Sequence, residues 1–495
     1  MQDQHYIAVD LGAESGRVML ATINALGITL NERHRFPNGP VRVGNVLHWD
    51  ILRLWGEIQT GIAKAMAEAV TNGQSVSGIG VDTWGVDFGL LDRHGELLGN
   101  PVHYRDTRTE GMAEKFFARM PREEVYRITG IQTMNLNTLF QLCALAENRP
   151  TLLEQAEHLL YIPDLVAFWL CQRLANEYTI ASTSQMLDAR RREYAPTVLA
   201  NIPLRPSLLP QLVMPGTVLG PVTGEAAAAT HARDIPVLAV GAHDTASAVA
   251  AVPAHAEHWL FLSSGTWSLL GTEMEQPVLT PEAMKFNLTN EGAVGGKIRL
   301  LKNIAGLWLL QECRRAWAQD GKEFDYRTLV QMAREAPAHS AFLNLEDPAV
   351  LAPGDMPAKI AQQCRRTGQR VPETPGQFTR AILESLAATY ALVRNMITQV
   401  TGRQFTHLHI VGGGSQNELL NQMAADATGL HVIAGPVEAT AIGNVMVQAL
   451  ATGQLDSIAA GRKLVAQTAM MREFLPHDTD KWTAWATKFS TTAKN

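Results

Sequence analysis

One pattern, a buried strand followed by a small polar turn and a second strand, occurs at the start of the chain and again halfway along it. Residues 6–10 (YIAVD) are apolar and β-prone, residues 12–16 predict a turn, and 17–23 (RVMLATI) predict the next strand. Residues 259–271 (WLFLSSGTWSLLG) have the same order of strand, turn and strand. A repeat of this kind predicts two α/β domains.

A proline-rich stretch followed by a predicted strand indicates where one domain ends and the next begins. Residues 201–224 are rich in proline and predict a connector, and 235–241 (IPVLAVG) predicts a strand that ends at 242–244. We therefore expect one domain over 1–235 and another over 236–480.

The remaining elements are predicted from hydrophobic spacing, caps and turns. They are a helix from an N-cap at Asp50 to a turn at Asn72, a strand, bend and strand over 76–91 with the break at Gly85, a mostly helical stretch at about 110–200, a helix over 376–400, a strand over 406–411, a glycine turn at 412–414, a helix over 416–428, a strand over 431–434 and a helix after Gly443.

Charge and cysteine content narrow the possible partners. The formal net charge is −6 with lysines and arginines scattered along the chain, which argues against a surface for nucleic acid or for an anionic membrane. The four cysteines have neither metal-ligand nor disulfide spacing, as expected in a reducing compartment. The uncharged stretches 128–146 and 206–224 contain too many polar residues or prolines to span a bilayer. We expect a cytoplasmic protein with small-molecule partners.

Three turns rich in glycine or serine could hold phosphate groups, because small residues let backbone N–H groups approach an anion. They lie at 10–17 (DLGAESGR), 263–267 (SSGTW) and 412–416 (GGGSQ). Each turn alone is equally compatible with a tight bend that needs glycine. Together they favour a nucleotide site with a loop from each domain, and Asp10 could hold Mg²⁺ through water.

Two other nucleotide folds are tested by residue spacing. A P-loop requires GxxxxGK[ST], and the nearest stretch, which ends at Ile298, has Glu291 in place of the first glycine. A dinucleotide fold requires G-x-G-x-x-G, and the turn at 412–417 has Asn417 as its sixth residue. The P-loop is excluded and a dehydrogenase is disfavoured.

Asp244 is the candidate general base. It follows a buried-looking strand and precedes the small residues 246–250, so a substrate could approach it closely. The alternative is an aspartate that caps a helix starting at Thr245. Trp84, beside Gly85, is either a core residue or a platform for a sugar.

Nine stretches of the chain, covering about residues 6 to 450, resemble the FGGY-type carbohydrate kinases of the actin-like superfamily. They are VDLGAESGR (9–17), GVDTWGVDFGLLD (80–92), AHDTASAV (242–249), LSSGTWSLLG (262–271), NLTNEGA (287–293), LKNIAGLWLLQ (301–311), PGDMPAKI (353–360), HIVGGGSQNELLNQMAADATG (409–429) and GPVEATAIGN (435–444). The resemblance implies an α/β fold of two actin-like ATPase (ribonuclease H-like) domains with a catalytic cleft between them. The stretch AFLNLEDP (341–348) departs from the family pattern.

The resemblance also implies an activity and its site residues. The activity is ATP-dependent phosphorylation of L-rhamnulose at the 1-hydroxyl, with Mg²⁺ as the metal, in L-rhamnose catabolism. Asp244 is implied as the proton acceptor, and Asp10 as the residue near Mg²⁺. The residues implied for the sugar are Gly85, His243, Asp244, Thr245 and Asn303. Those implied for ATP are Ala13, Glu14, Ser15, Gly16, Arg17, Thr266, Gln311 and Gly413.

Three alternatives stay open. The sugar could be a related ketose, such as L-fuculose or L-xylulose. The chain could be an actin-like ATPase that uses nucleotide only to polymerise or to hold a partner, or the disfavoured dinucleotide oxidoreductase. We expect a monomer or a weak homodimer.

Overall fold

The computed structural model describes residues 2–255 and 257–490. Contacts divide the chain into two units, each built from several segments. The first unit comprises Met1–Pro253, Glu273–Leu300 and Glu438–Ala469, and the second comprises Ala254–Thr272, Leu301–Val437 and Met470–Asn495. The domain boundary placed at residue 235 from the sequence stays a prediction.

The strands are short at the connections and long in the sheets of the two units. In chain order they are β1 (Gln4–Leu11), β2 (Ser15–Asn24), β3 (Gly27–Pro37), β4 (Pro40–Val43), β5 (Val46–Trp49), β6 (Val76–Thr83), β7 (Phe88–Leu91), β8 (His158–Tyr161), β9 (Asn176–Glu177), β10 (Leu187–Asp188), β11 (Glu193–Tyr194), β12 (Leu212–Val213), β13 (Val218–Pro221), β14 (Pro236–Leu238), β15 (Trp259–Ser264), β16 (Trp267–Met274), β17 (Thr289–Gly292), β18 (Ile298–Ala305), β19 (His407–Val411), β20 (His431–Ala434) and β21 (Arg472–Phe474).

The helices range from single turns to a helix of 27 residues. In chain order they are α1 (Ile51–Thr71), α2 (Met112–Phe117), α3 (Arg122–Thr129), α4 (Thr138–Asn148), α5 (Pro150–Gln155), α6 (Ile162–Cys171), α7 (Tyr178–Ala181), α8 (Pro196–Leu199), α9 (Gly224–Thr230), α10 (Asp244–Ala250), α11 (Pro281–Lys285), α12 (Trp308–Gln319), α13 (Tyr326–Glu335), α14 (Pro348–Leu351), α15 (Met356–Arg366), α16 (Pro375–Thr401), α17 (Glu418–Thr428), α18 (Ala439–Ala451), α19 (Ile458–Thr468) and α20 (Thr479–Ser490).

The first unit is built on a six-stranded mixed sheet in the order β13, β14, β6, β1, β2, β3. Strands β1 and β2 form the predicted strand–turn–strand pair, and β3 extends it to an antiparallel meander, whereas β1 and β6 are parallel. The central strand β1 is buried from His5 onward, as its nearly continuous apolar sequence requires. Helices α1 and α18 pack on this sheet.

Helix α1 confirms the amphipathic helix predicted from the sequence. The Asp50 carboxylate accepts a hydrogen bond from the backbone N–H of Arg53, at 3.3 Å, and so caps the first turn. The helix buries Leu54, Ile58 and other apolar residues at helical spacing and ends before Asn72.

Helix α18 differs from the prediction of a helix that starts after Gly443. It begins at Ala439, so Gly443 lies within it. A Cβ at Gly443 would collide with the backbone carbonyl of Ser247 in α10. The glycine therefore allows α18 and α10 to approach each other closely, and it does not mark the start of a helix.

Two further sequence predictions needed correction in the first unit. The stretch 201–224 is not only a connector, because it contains β12 and β13, and β13 joins the main sheet beside β14. The strand predicted over 235–241 is limited to β14. Strand β13 is the edge strand of the sheet and pairs with β14. A proline-rich sequence can form this strand because edge positions tolerate proline.

The second unit contains the repeat of the strand–turn–strand pattern. Strands β15 and β16 are antiparallel, β15 and β19 are parallel, and β19 and β20 are parallel around α17. This confirms the predicted hairpin and the predicted βαβ unit. Helix α16 packs on α17 and α13. In the part of the chain that the structure describes, no helix combines the length and the apolar character needed to cross a membrane.

His103 is buried within an aromatic cluster of the first unit. Its ring lies 4.2 Å from the Trp49 ring and 4.5 Å from the Tyr104 ring, centroid to centroid. Its Nδ1 accepts a hydrogen bond from the backbone N–H of Arg105 at 3.0 Å. Burial, with the charge of Arg105, lowers the pKa of His103 to about 3.

This burial predicts a pH-dependent contribution to stability. The lowered pKa means that the contribution is fully present above about pH 6.5, where unfolded histidine is neutral, and is lost as the pH falls below that value. Between pH 7 and pH 5 the wild type should lose about 2 kcal/mol of unfolding free energy through His103. A His103→Phe variant should not show this loss. Urea unfolding at both pH values measures the difference. Parallel curves of stability against pH for the two proteins would contradict it.

Candidate active site

Two carboxylates lie side by side at the ends of two parallel strands of the first unit. Asp10 on β1 is directly opposite Asp82 on β6, and both side chains are buried. Burial and the charges of Asp10 and Asp244 raise the pKa of Asp82 well above the usual range of an aspartate. Asp82 Oδ2 accepts a hydrogen bond from the Asn444 side chain at 2.6 Å, and Asp82 Oδ1 has no hydrogen-bond partner among the residues described.

Arg17 is the counterion of this pair. It lies opposite Asp10 across the β1–β2 hairpin, and its guanidinium forms ion pairs with Asp10 and with Glu438. Burial alone would lower the pKa of Arg17, but the charges of Asp10 and Glu438 outweigh burial and raise it. The predicted phosphate residue is therefore a fixed positive charge between two carboxylates.

The other residues predicted for phosphate binding lie in the turn between β1 and β2 or just after it. Ala13, Glu14 and Ser15 are half-buried, and the backbone N–H of Gly12 bonds to the Ser15 carbonyl at 2.9 Å. A Cβ at Gly16 would collide with the side chains of Phe36 and Leu11. Packing thus accounts for the glycine at position 16, while the turn itself stays accessible.

Asp244 is the first residue of α10 and is partly accessible. Its side chain is 30% exposed. Asp244 Oδ1 accepts hydrogen bonds from the backbone N–H of Thr245 at 2.5 Å and from the Thr245 hydroxyl at 3.1 Å. Burial raises the pKa of Asp244, His243 opposes this effect, and the charge of Asp10 adds to it. The carboxylate is therefore oriented by its neighbours and is a stronger base than an ordinary aspartate.

Gly85 and His243, both predicted for sugar binding, lie next to each other. The segment after β6 runs beside the segment before α10, and the N–H of Thr83 donates to the Ala242 carbonyl at 2.9 Å. A Cβ at Gly85 would lie 3.4 Å from His243 Nε2 and 3.3 Å from Thr183 Oγ1. Gly85, His243, Asp244 and Thr245, which the family resemblance implies for the sugar, are thus brought together.

The backbone strain at this bend is at Val86 rather than at Gly85. Val86 has a φ of 69°, which is unusual for a β-branched residue. Its N–H is held by Thr183 Oγ1 at 3.2 Å, and its carbonyl accepts from Thr138 Oγ1 at 2.6 Å. Strain of this kind persists where surrounding contacts determine the conformation, often at functional sites.

The sequence gives little indication of the buried carboxylates around this bend. Asp87 accepts hydrogen bonds from the indole N–H groups of Trp49 at 2.6 Å and Trp84 at 3.1 Å. Burial raises the pKa of Asp87 to about 6, although these donors oppose it. Trp84 is 5% exposed and packs on Trp49, so it is a core residue, one of the two alternatives left open. The only signal for Asp82 and Asp87 is that a carboxylate stands on either side of Gly85.

The loop before Asp244 is held by Glu177. This carboxylate accepts hydrogen bonds from the backbone N–H groups of Thr179 and Ala242, and Thr179 Oγ1 accepts from the N–H of His243 at 3.2 Å. Burial raises the pKa of Glu177 to about 7 despite these donors. Nothing in the local sequence of Glu177 indicates this role, because its partner is 65 residues away.

The second unit brings together three residues predicted for the nucleotide. The turn between β15 and β16 and the turn after β19 follow neighbouring parallel strands, with Ser263 opposite Val411. Gln311, in the first turn of α12, donates from Nε2 to Thr266 Oγ1 at 3.3 Å. Asn303, predicted for the sugar, is half-buried and lies in the later part of β18, from Leu301 onward, which belongs to this unit.

The glycine turn after β19 combines packed and open positions. A Cβ at Gly414 would collide with the Ser264 hydroxyl, and Gly412 has a φ of 84°. Gly413, in contrast, is exposed, and a Cβ there would have nothing within 4 Å. A Cβ at position 413 would therefore meet no protein atom within 4 Å, so this position has room to face a ligand.

The carboxylates of the first unit are suited to a hard divalent cation. Mg²⁺ takes one or two protein carboxylates and completes its shell with water and substrate phosphates. Asp10 and Asp82 supply two such carboxylates, one of them with an unpartnered buried oxygen. Among the residues that the structure describes, no cluster of three or more His, Cys, Asp or Glu side chains could form an all-protein metal cage, which Mg²⁺ does not need.

The chain is similar to known proteins over nearly its whole length. Residues 5–251 match the N-terminal domain of the FGGY family of carbohydrate kinases, and residues 260–452 match its C-terminal domain. The rhamnulokinase of Bacteroides thetaiotaomicron is 44% identical over 481 residues, which cover 97% of this chain and 98% of that protein. The rhamnulokinase of Klebsiella pneumoniae is 41% identical over 481 residues, 96% of each chain.

The fold is similar to that of a solved sugar kinase. The ligand-bound xylulose kinase of Lactobacillus acidophilus superposes with a TM-score of 0.79 at 15% identity, covering 99% of this chain and 97% of that one. The fold is that of the two-domain sugar kinases of the actin-like ATPase class. The chain belongs to the FGGY family of carbohydrate kinases, and it is an ATP-dependent sugar kinase.

Proposed function

We propose that this kinase transfers the γ-phosphoryl group of ATP to the 1-hydroxyl of L-rhamnulose, giving L-rhamnulose 1-phosphate and ADP. The observation that carries the reaction type is the Asp244 carboxylate, partly accessible and oriented through one oxygen beside His243 and Gly85. The substrate is supported by the two rhamnulokinases that match nearly the whole chain.

The proton moves from the sugar to Asp244. The contacts to the Asp244 carboxylate are made at Oδ1, so Oδ2 is the oxygen that would accept the proton of the 1-hydroxyl. The bond between O1 and the γ-phosphorus forms as the bond to the ADP oxygen breaks. A carboxylate is a sufficient base because phosphoryl transfer depends mainly on positioning and charge stabilisation, and the raised pKa of Asp244 helps it hold the proton.

Mg²⁺ is the cation we propose for Asp10 and Asp82. A divalent cation bound with ATP neutralises charge on the phosphate oxygens. Arg17 holds Asp10 in place through its ion pair. Asn444 orients Asp82 through the hydrogen bond to Oδ2.

The remaining predicted residues keep the roles implied by the family resemblance. Gly85, His243, Thr245 and Asn303 are proposed for the sugar. The turn at 13–17, with Thr266, Gln311 and Gly413, is proposed for ATP. A cytoplasmic location and a monomeric or weakly dimeric state also stay predictions, the second of which sedimentation velocity would test.

The proposal is tested by a coupled ADP-release assay on purified enzyme with L-rhamnulose, L-fuculose and L-xylulose. We expect kcat/KM to be highest for L-rhamnulose and ADP release without sugar to be negligible. An analogue of L-rhamnulose without the 1-hydroxyl should bind as a competitive inhibitor and not be phosphorylated. Phosphorylation of that analogue would place the acceptor hydroxyl elsewhere. ADP release that does not depend on any sugar would favour the alternative of an ATPase that only polymerises or holds a partner.

Asp244→Asn should abolish catalysis and leave ATP binding nearly unchanged. Loss of a positioned base costs about 10²–10⁴ in rate, and the amide keeps the size of the side chain. Single-turnover kinetics and ATP titration measure the two quantities. A folded variant that keeps more than about a tenth of the wild-type kcat would exclude Asp244 as the base.

Gly413→Val should raise KM for ATP by about tenfold or more and leave KM for the sugar nearly unchanged, because the new side chain would meet only the nucleotide. Its unfolding free energy should stay within about 0.5 kcal/mol of the wild type, since position 413 is exposed and its Cβ would touch no protein atom. Gly414→Val is the matched control. It collides with Ser264 and should lose about 1–3 kcal/mol of stability by overpacking. Equal rises in both KM values for Gly413→Val would contradict the nucleotide assignment.

A further inference from the structure

We propose that Arg299 holds the His243 imidazole in the tautomer with its proton on Nε2, and that this tautomer orients the Asp244 carboxylate for proton transfer. The inference rests on the proposed function, in which Asp244 is the proton acceptor. Arg299 is in this view a positioning residue, because it acts on the base through His243.

Arg299 meets His243 inside the first unit. Its side chain is fully buried on β18, and its Nε donates to the Gly292 carbonyl at 2.9 Å. Its Nη2 lies 3.1 Å from His243 Nδ1. A guanidinium has only donor groups and stays charged in proteins. In this contact Nδ1 is therefore the acceptor, and the proposed tautomer carries its proton on Nε2.

The other ring nitrogen faces the base. His243 Nε2 lies 3.4 Å from Asp244 Oδ1. With a proton on Nε2, the ring presents an N–H to the same oxygen that accepts from the backbone and hydroxyl of Thr245. The two Thr245 donors and the N–H of the ring, 3.4 Å away, then all lie on the side of Oδ1, and Oδ2 keeps its lone pairs for the proton of the sugar. With the opposite tautomer, an unprotonated Nε2 would face the carboxylate and repel it.

Glu291 makes the tautomer depend on Arg299. Glu291 Oε2 lies 3.3 Å from His243 Nδ1 and 3.2 Å from Arg299 Nη2, and Glu291 is itself buried. Without the guanidinium, this carboxylate would draw a proton to Nδ1. The charged groups around the ring are thus Arg299, Glu291 and Asp244, and the arginine decides which nitrogen is protonated.

The direct test is the tautomer of His243 in the wild-type enzyme. Two-bond ¹H–¹⁵N spectra of protein labelled in histidine distinguish a protonated from an unprotonated ring nitrogen, and the spectrum of His243→Asn assigns the signals. We expect an unprotonated Nδ1 and a protonated Nε2. A proton on Nδ1, or on both nitrogens, would overturn the inference.

The variants test whether the tautomer matters for turnover. Arg299→Met should move the proton to Nδ1 and lower kcat by about 10- to 100-fold with little change in KM for ATP, as for the loss of other groups that orient a reactive residue. Arg299→Lys, which keeps a charged donor, should restore the Nε2 tautomer and part of kcat. Unchanged kcat in a folded Arg299→Met variant would overturn the inference, and the wild-type spectrum and Arg299→Lys decide it if that variant does not fold.

A control separates this effect from the loss of any buried arginine. Arg380, in the second unit, is mostly buried and pairs with Glu384, whose side chain is fully buried. Arg380→Met should keep the His243 tautomer and a kcat within about twofold of the wild type after correction for folded protein. A wild-type enzyme that is active on L-rhamnulose but protonated at Nδ1 overturns this inference alone. An inactive enzyme with the expected tautomer overturns the proposed function instead.

Discussion

The parallel pairing of β1 with β6 brings Asp10 and Asp82 side by side in a buried sheet. Two carboxylates in such a place cannot both ionise without compensation, because water is excluded and like charges repel. Arg17 compensates Asp10 from the neighbouring strand, and Asn444 donates to Asp82 from α18. The approach of α18 to α10 depends in turn on a glycine at position 443, where any side chain would collide with Ser247. The pairing of the two carboxylates therefore depends both on the Arg17 counterion and on the packing of α18 against α10.

The buried carboxylates of the first unit differ in how many of their oxygens are held by hydrogen bonds. This difference distinguishes the carboxylates with a structural role from the one that suits catalysis. Glu177 accepts hydrogen bonds from α7 and from the loop before α10, and it is almost fully buried, so it offers no surface to a substrate. Asp87 is held by two indole N–H groups and fixes the aromatic core near the bend. Asp244 is anchored through one oxygen and remains 30% exposed. Among these carboxylates it is the one whose geometry suits proton transfer, and its raised pKa has the same physical origin as those of its buried neighbours.

Local pattern was enough to predict several of the main elements, although not all of their ends. The strand–turn–strand repeats, α1 with its Asp50 cap, and the βαβ unit at 407–434 all follow from periodicity and turn residues. Gly443 was misinterpreted because a glycine that allows two helices to touch has the same sequence signature as one that ends a helix. The roles of Glu177, Glu291 and Arg299 were not predictable, since their partners are brought to them by tertiary structure. The family resemblance supplied the residues of the proposed site, and the structure added the contacts that orient Asp244 and the pairing of Asp10 with Asp82.

The central claim is that a single carboxylate, Asp244, accepts the proton during phosphoryl transfer. The pH dependence of the single-turnover rate with saturating ATP and sugar tests it most directly. Because the pKa of Asp244 is raised, the rate should fall on the acid side with a midpoint above the ordinary aspartate value of about 3.9. In Asp244→Asn the residual rate should be slow and show no acid limb. An acid limb of unchanged midpoint in the variant would contradict the account, because another group would then be the base.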